Sequence, residues 1–318
     1  MFPDNMFLFS SNMFRAGMRR AGTTIRLYLK RILAAFAALF LCLFAGHAAA
    51  GMGQPSPWQM DLQVPATQVA ESMHSFHTLL LWIVSLIVLF VAILLLIIIF
   101  RFNEKANPQP SRFSHNSMLE VAWTVVPVLI LVVIAVPSFR LLREQLVLPP
   151  ADITVKATAH QWYWSYEYPE DQGGFSFDSN ILPDDMLKEG QPRLLSVDNE
   201  LVLPVGKVVR VQVTASDVIH AFAMPSFGLK IDAIPGRLNE TWFKAEKEGI
   251  FYGQCSLVCG QNHAYMPIAI RIVSEERYEE WLKQAKATFA DAGSVPVLAG
   301  GQGAAVVKVA LGATRYER

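Results

Sequence analysis

Two thiols, an imidazole and a thioether fall within twelve residues of this chain, in the order Cys255, Cys259, His263, Met266. A second imidazole, His220, stands 35 residues before Cys255 in Asp217-Val218-Ile219-His220. Soft sulfur donors mixed with imidazoles suit copper or zinc and not magnesium or calcium. A mononuclear blue-copper site needs two His, one Cys and a weak axial Met. All of these are present, with one thiol to spare. An extra thiolate four residues from the first can bridge two metal ions, so the sharpest reading is a dinuclear copper centre with two bridging sulfurs. Plainer readings use some of the same atoms. Cys-x3-Cys in an exported domain can close as a disulfide. A structural Cys2His2 zinc site is usually spaced Cys-x2-Cys or Cys-x4-Cys and has no use for Met266. A single Met or His is more often core filler than ligand. The joint occurrence favours copper, and a donor set with no open position suits electron transfer better than substrate chemistry.

The rest of the chain must carry that cluster. Hydrophobic residues make up 53% of 318 residues and charged residues 17%, against about 25% charged in ordinary soluble proteins. Mean hydropathy is +0.31. These figures exclude a disordered chain and call for membrane segments. Lys+Arg and Asp+Glu both number 27, which disfavours a nucleic-acid binder. The balance hides an asymmetry: residues 151–290 hold 13 basic and 19 acidic residues, so a positively charged partner is expected.

Near the N-terminus, Lys30-Arg31 precede an uncharged, mostly apolar run from Ile32 to Gly46, closed by Ala48-Ala49-Ala50. This is the pattern of a secretory signal. Residues 1–50 are therefore expected to be removed, with cleavage after Ala50 and with Cys42 discarded; translation starting at Met13 or Met18 would shorten them. Residues 51–76 would follow as an extracytoplasmic segment, and 77–142 as a two-helix transmembrane hairpin with spans about 78–100 and 121–141. Leu79 to Phe100 is 22 residues without a charge, and Val121 to Phe139 is 19; about 20 residues cross a bilayer. The connection carries Arg101, Lys105 and Arg112, so the positive-inside rule places it in the cytoplasm and both flanks outside. From residue 150 to 288 short alternating runs are punctuated by Gly, Pro, Asn and Asp. Examples are Ile153 to Ala157, Val208 to Val213, Ile250 to Gln254 and Pro267 to Val273. This predicts an antiparallel β-sandwich or barrel, with one amphipathic helix from Glu275 to Ala287. Residues 289–318 are expected to be a mobile tail.

Three stretches carry a family resemblance: 217–240, from Asp217 through His220, Pro225 and Gly236 to Glu240; 160–168, His160-Gln161-Trp162-Tyr163-Trp164-Ser165-Tyr166-Glu167-Tyr168; and 253–267 around the cysteines. With the hairpin, they resemble subunit 2 of haem–copper cytochrome c oxidases over about residues 70–285. The resemblance implies a membrane-anchored all-β protein with a cupredoxin-like domain holding two copper ions as a CuA centre. The implied ligands are His220, Cys255, the Leu257 carbonyl, Cys259, His263 and Met266. It also implies electron acceptance from cytochrome c at Trp162, with Glu167 and Asp217 near the docking surface. Trp162, Trp164, Tyr166 and Tyr168 alternate, so they are predicted to share one strand face, the last three as core. Glu120, in Glu120-Val121-Ala122-Trp123-Thr124, matches the family's proton-uptake mouth. The implied partners are subunit 1, holding haem and CuB, the other oxidase subunits and the membrane. The implied place is a bacterial-type inner membrane with the copper domain periplasmic, and the implied reaction is O2 reduction coupled to proton translocation. Leu257 departs from the family's usual Glu, whose carboxylate reaches a Mg or Mn ion at the subunit boundary; that ion is expected to be absent or held without this chain. Rival readings are a quinol-oxidase subunit 2, which lacks the copper ligands, and nitrous oxide reductase, which lacks the hairpin. A third is a copper-delivery chaperone, which has no task for Met266.

Overall fold

The computed structural model describes residues 31, 53–109 and 112–289. The expected signal segment, with Cys42, and the expected tail beyond Phe289 lie outside the described residues. The chain divides into two compact units after Val64. In the first, residues 53–64 form an irregular segment in which the Gln59 side chain accepts from the Ser56 N–H and donates to the Leu62 carbonyl.

The second unit begins with two long helices, α1 (Gln68–Arg101) and α2 (Ser117–Leu146). Thr67 caps α1 by accepting from the Ala70 N–H, with Glu71 in the first turn and Arg101 in the last. Asn116 caps α2 through the N–H groups of Met118 and Leu119. These caps satisfy exposed donors and the end charges complement the helix dipole. Pro127 and Pro137 lie inside α2, as membrane helices tolerate. No residue of α2 is buried, and in α1 only Val69 and Ala70 are. Long apolar helices with open surfaces are built for lipid or for partner helices. At 1.5 Å per residue α1 runs about 50 Å, more than the ~30 Å hydrocarbon core. It starts ten residues earlier than the span predicted at 78, because its first turn is docked on the β-domain.

That dock fixes the membrane anchor to the rest of the unit. The Ala66 N–H donates to Ser226 O at 2.8 Å, Thr67 Oγ1 to Phe227 O at 2.9 Å, and the Glu246 N–H to Ala66 O at 2.9 Å. Gly228, at φ 68°, faces Ala70 so closely that a Cβ there would lie 3.1 Å from the Ala70 Cα.

The β-domain stacks two five-stranded sheets. One runs β3 (Phe175–Ser179), β2 (Tyr163–Tyr168), β1 (Ile153–His160), β5 (Val208–Ala215), β8 (Asn239–Lys244). The other runs β4 (Leu201–Pro204), β10 (Pro267–Val273), β9 (Gly249–Cys255), β6 (His220–Met224), β7 (Leu229–Ala233). The sandwich is as expected, but it is not purely antiparallel: β1 pairs with β5, and β4 with β10, in parallel. Alternating polarity reads the same for either partner direction, so this was not in the sequence pattern. Strict alternation of burial in β1, β3 and β5 turns Val155, Ala157, Phe175, Phe177, Val211 and Val213 into the shared core. The C-terminal helix α3 (Glu275–Phe289) closes one end, with Trp281 against Tyr168 and Phe289 against Phe177 at 5.0 Å between rings. Phe289, expected to begin the tail, is thus the last residue of a packed helix.

Candidate metal centre

The second sheet brings the donors together. Cys255 ends β9, β10 begins one residue after Met266, and the loop between the two strands carries Leu257, Cys259 and His263. His220 opens the neighbouring β6, where Phe222 pairs with Cys255. The two strands can approach because residue 253 is glycine: a Cβ there would stand 2.0 Å from the Ala223 carbonyl oxygen and 2.4 Å from Met224 Sδ.

The two thiol sulfurs are 3.8 Å apart, against about 2.05 Å in a disulfide, and both cysteines are free. Cys255 Sγ has His220 Nδ1 at 3.9 Å and the Leu257 carbonyl oxygen at 3.3 Å. Cys259 Sγ has His263 Nδ1 and Met266 Sδ each at 3.5 Å. Each sulfur therefore faces one imidazole and one weaker donor. His220, Cys255, Cys259 and Met266 are all at most 5% exposed. His220, Cys255 and Cys259 form the one His/Cys/Asp/Glu cluster with metal-binding geometry among the described residues. The donor chemistry fits the copper that the sequence implies: two thiolates central, imidazoles outside, carbonyl and thioether as weak donors.

A supporting layer fixes these ligands. His220 Nε2 donates to Asp217 Oδ1 at 2.9 Å, which leaves Nδ1 to face the sulfurs and sets the tautomer. Partial burial pushes the Asp217 carboxyl up. Hydrogen bonds from His220 and from the N–H groups of Val218 and Gln161 outweigh this and hold it below its ordinary range. Burial, then the neighbouring Cys255, pushes the Cys259 thiol up to about 12. Trp164 Nε1 donates to the Met266 carbonyl at 3.3 Å, and its ring lies edge-on to Phe222.

Trp162 is not on the strand with the other aromatics. β2 starts at Tyr163, and Trp162 lies in the preceding turn, after a cis Gln161–Trp162 peptide. Trp164, Tyr166 and Tyr168 are at most 1% exposed and belong to the core, as expected. Trp162 is half-buried, packed on the core edge and against Gly260, the residue that follows Cys259.

Residues 153–273 match the family profile described as cytochrome C oxidase subunit II, periplasmic domain, and residues 55–141 match the one described as its transmembrane domain. A probable cytochrome c oxidase subunit 2 of Rickettsia bellii (strain RML369-C) is 53% identical over 229 residues, covering 72% of this chain and 85% of the relative. The chain belongs to the cytochrome c oxidase subunit 2 family. Cytochrome c oxidase subunit 2 of Cereibacter sphaeroides is 46% identical over 74% of this chain and 83% of its own length. Among solved structures, the periplasmic domain of subunit II of cytochrome oxidase of Bradyrhizobium japonicum is 63% identical over 45% of this chain and 99% of that one, with a TM-score of 0.42.

As a subunit 2 of this family, the protein is part of a haem–copper oxidase complex and a membrane protein with a periplasmic domain. The delivery-chaperone, nitrous oxide reductase and quinol-oxidase readings are not supported. The other residues singled out in the sequence are spread over the molecule. Glu120 lies exposed in the first turn of α2, at the end far along the helix from the β-domain. Glu167 projects from β2 and pairs with Lys156 at 3.0 Å. Leu257 and Val258 form an exposed apolar tip on the cysteine loop, with no carboxylate at residue 257. Gly253, Gly260 and Gln161 escaped sequence reasoning; only the glycines, at points of close backbone approach, left any signal in the residue types.

Proposed function

We propose that this chain accepts single electrons from cytochrome c at a CuA centre and passes them to haem in subunit 1, where O2 is reduced with proton translocation. The observation that supports this most is the pair of uncrosslinked sulfurs, 3.8 Å apart, each flanked by one imidazole and one weak donor. Bound there, a dinuclear copper centre supplies a one-electron acceptor that needs little reorganisation. His220, Cys255, Cys259, His263, Met266 and the Leu257 carbonyl hold it. Asp217 orients His220, and the stacked sheets keep the donors from moving between oxidation states. Trp162 is the point of electron acceptance, under a cytochrome c steered by the acidic face that includes Glu167 and Asp217. In the purified oxidase, reduced cytochrome c mixed with enzyme should bleach the copper absorption before haem reduction. Haem reduction at the native rate in a Cys259→Ser enzyme lacking that copper would contradict the reading.

Glu120 marks the cytoplasmic mouth of proton uptake. Glu120→Gln should slow turnover and proton uptake together, and unchanged values would dispose of the role. Leu257 offers no oxygen beyond its carbonyl, so the Mg or Mn at the subunit boundary is absent or held without this chain. Metal analysis of the purified oxidase should find no Mg or Mn held by this chain; a stoichiometric Mg or Mn bound through its side chains refutes this. Residues 1–50 are a secretory signal cleaved after Ala50, and the β-domain lies on the periplasmic side of the bacterial inner membrane. The N-terminal sequence of the mature protein tests that directly.

A further inference from the structure

Gln161 touches both halves of the metal site at once. Its backbone N–H donates to Asp217 Oδ2 at 2.6 Å, while the other oxygen of that carboxylate takes His220 Nε2 at 2.9 Å. Its side-chain Nε2 donates to the carbonyl oxygen of Cys259 at 2.8 Å. The next residue is Trp162, whose buried indole Nε1 has no hydrogen-bond partner. Nothing polar on the ring itself sets its position, so that task falls to its neighbours. The ring lies over Gly260 with no space for a side chain between: a Cβ at 260 would be 3.0 Å from Trp162 Cζ2 and 3.1 Å from Gln161 Nε2.

We propose that Gln161 is a positioning residue for electron acceptance. It clamps the Trp162 turn onto the cysteine loop through the Cys259 carbonyl, and onto the His220 segment through Asp217. This rests on the reading of Trp162 as the acceptance point above a copper centre. The two grips differ in kind. The backbone grip survives any substitution at 161 except proline, whereas the side-chain grip needs an amide N–H of glutamine length. Losing that grip leaves the ligands and the His220–Asp217 bond in place but frees the indole to shift over Gly260.

The test is Gln161→Met, which keeps the length and removes the donor, in the full-length chain within the purified oxidase. Copper content and the copper absorption and EPR spectra should match the native enzyme. Electron injection from reduced cytochrome c should slow by about tenfold, a part of the roughly hundredfold that a 1 Å misplacement of reacting groups can cost. In the metal-free chain, amide exchange over residues 160–164 should speed up while that over 250–255 stays as it is. A native injection rate, or unchanged exchange over 160–164, overturns the proposal. Gln161→Asn, whose amide falls one methylene short, carries the same test if the methionine variant does not assemble. Trp162→Phe is measured alongside. If it slows injection and the Gln161 variants do not, the clamp alone is wrong; if it leaves the rate native, the role of Trp162 fails and the clamp with it.

Discussion

At the scale of single residues, one thiol of the site, Cys259, has its protonation governed by burial. Burial and the neighbouring Cys255 raise the Cys259 thiol to about 12, so without metal that thiol is protonated at neutral pH, while copper takes the thiolate. Binding must displace protons. Apparent copper affinity, measured by chelator competition between pH 6 and pH 8, should therefore rise with pH, about tenfold per unit for each proton released. A flat profile would mean that thiolates are not the ligands. Asp217 works in the opposite sense: its carboxyl is held low by His220 and two backbone donors. The stability that it contributes is present above its unfolded value and is lost as pH falls through the lowered folded one. The ligand types were legible in the sequence because Cys, His and Met are few and their spacing is restrictive. Gln161 was not, since a polar residue in a turn carries no sign of which carbonyl it will reach.

At the scale of elements, two strands from distant parts of the chain make the site, and their approach depends on one missing side chain. The added Cβ of Gly253→Ala would meet backbone at 2.0 Å from the Ala223 oxygen, so β6 and β9 must separate. The variant should lose about 3 kcal/mol or more. Urea unfolding of the metal-free protein reads this as a lower midpoint at unchanged slope. Native stability would show that the two strands do not have to meet this closely. Strands with clean alternation, such as β1 and β5, could be read from the sequence. β6 and β10 are buried on both faces along most of their length, so periodicity fades; β10 was still legible as a β-branched run, while β6 was not. The aromatic alternation runs on past the true start of β2, which is why it extends the strand to Trp162. Parallel pairing of β1 with β5 depends on long crossovers that no local pattern encodes.

At the scale of the whole molecule, sign and placement of charge matter more than any one acid. Residues 151–290 carry 19 acidic against 13 basic residues, yet Glu167 is paired with Lys156 and Asp217 turns its oxygens to three donors. Steering of cytochrome c should then come from the summed field and not from these two residues alone. Second-order rates of cytochrome c oxidation should fall steeply as ionic strength rises through about 0.1 M. Glu167→Gln alone should change that slope little. A salt-independent rate would remove electrostatic steering. The anchor, with α1 docked through Ala66, Thr67 and Gly228, ties the donor-bearing sheet to the start of the apolar helix pair. The order of hairpin and sandwich was readable from hydropathy and strand punctuation; the dock was not, because it rests on backbone contacts that many residue types could make.

In the proposed centre, Cys255 and Cys259 together would hold two copper ions. Copper counted per subunit 2 chain in the oxidised oxidase, together with its EPR spectrum, tests it most directly. The prediction is two copper ions at this site with the unpaired electron coupled equally to both nuclei. A single copper, a zinc ion, or a Cys255–Cys259 disulfide with no metal in the working enzyme would contradict it.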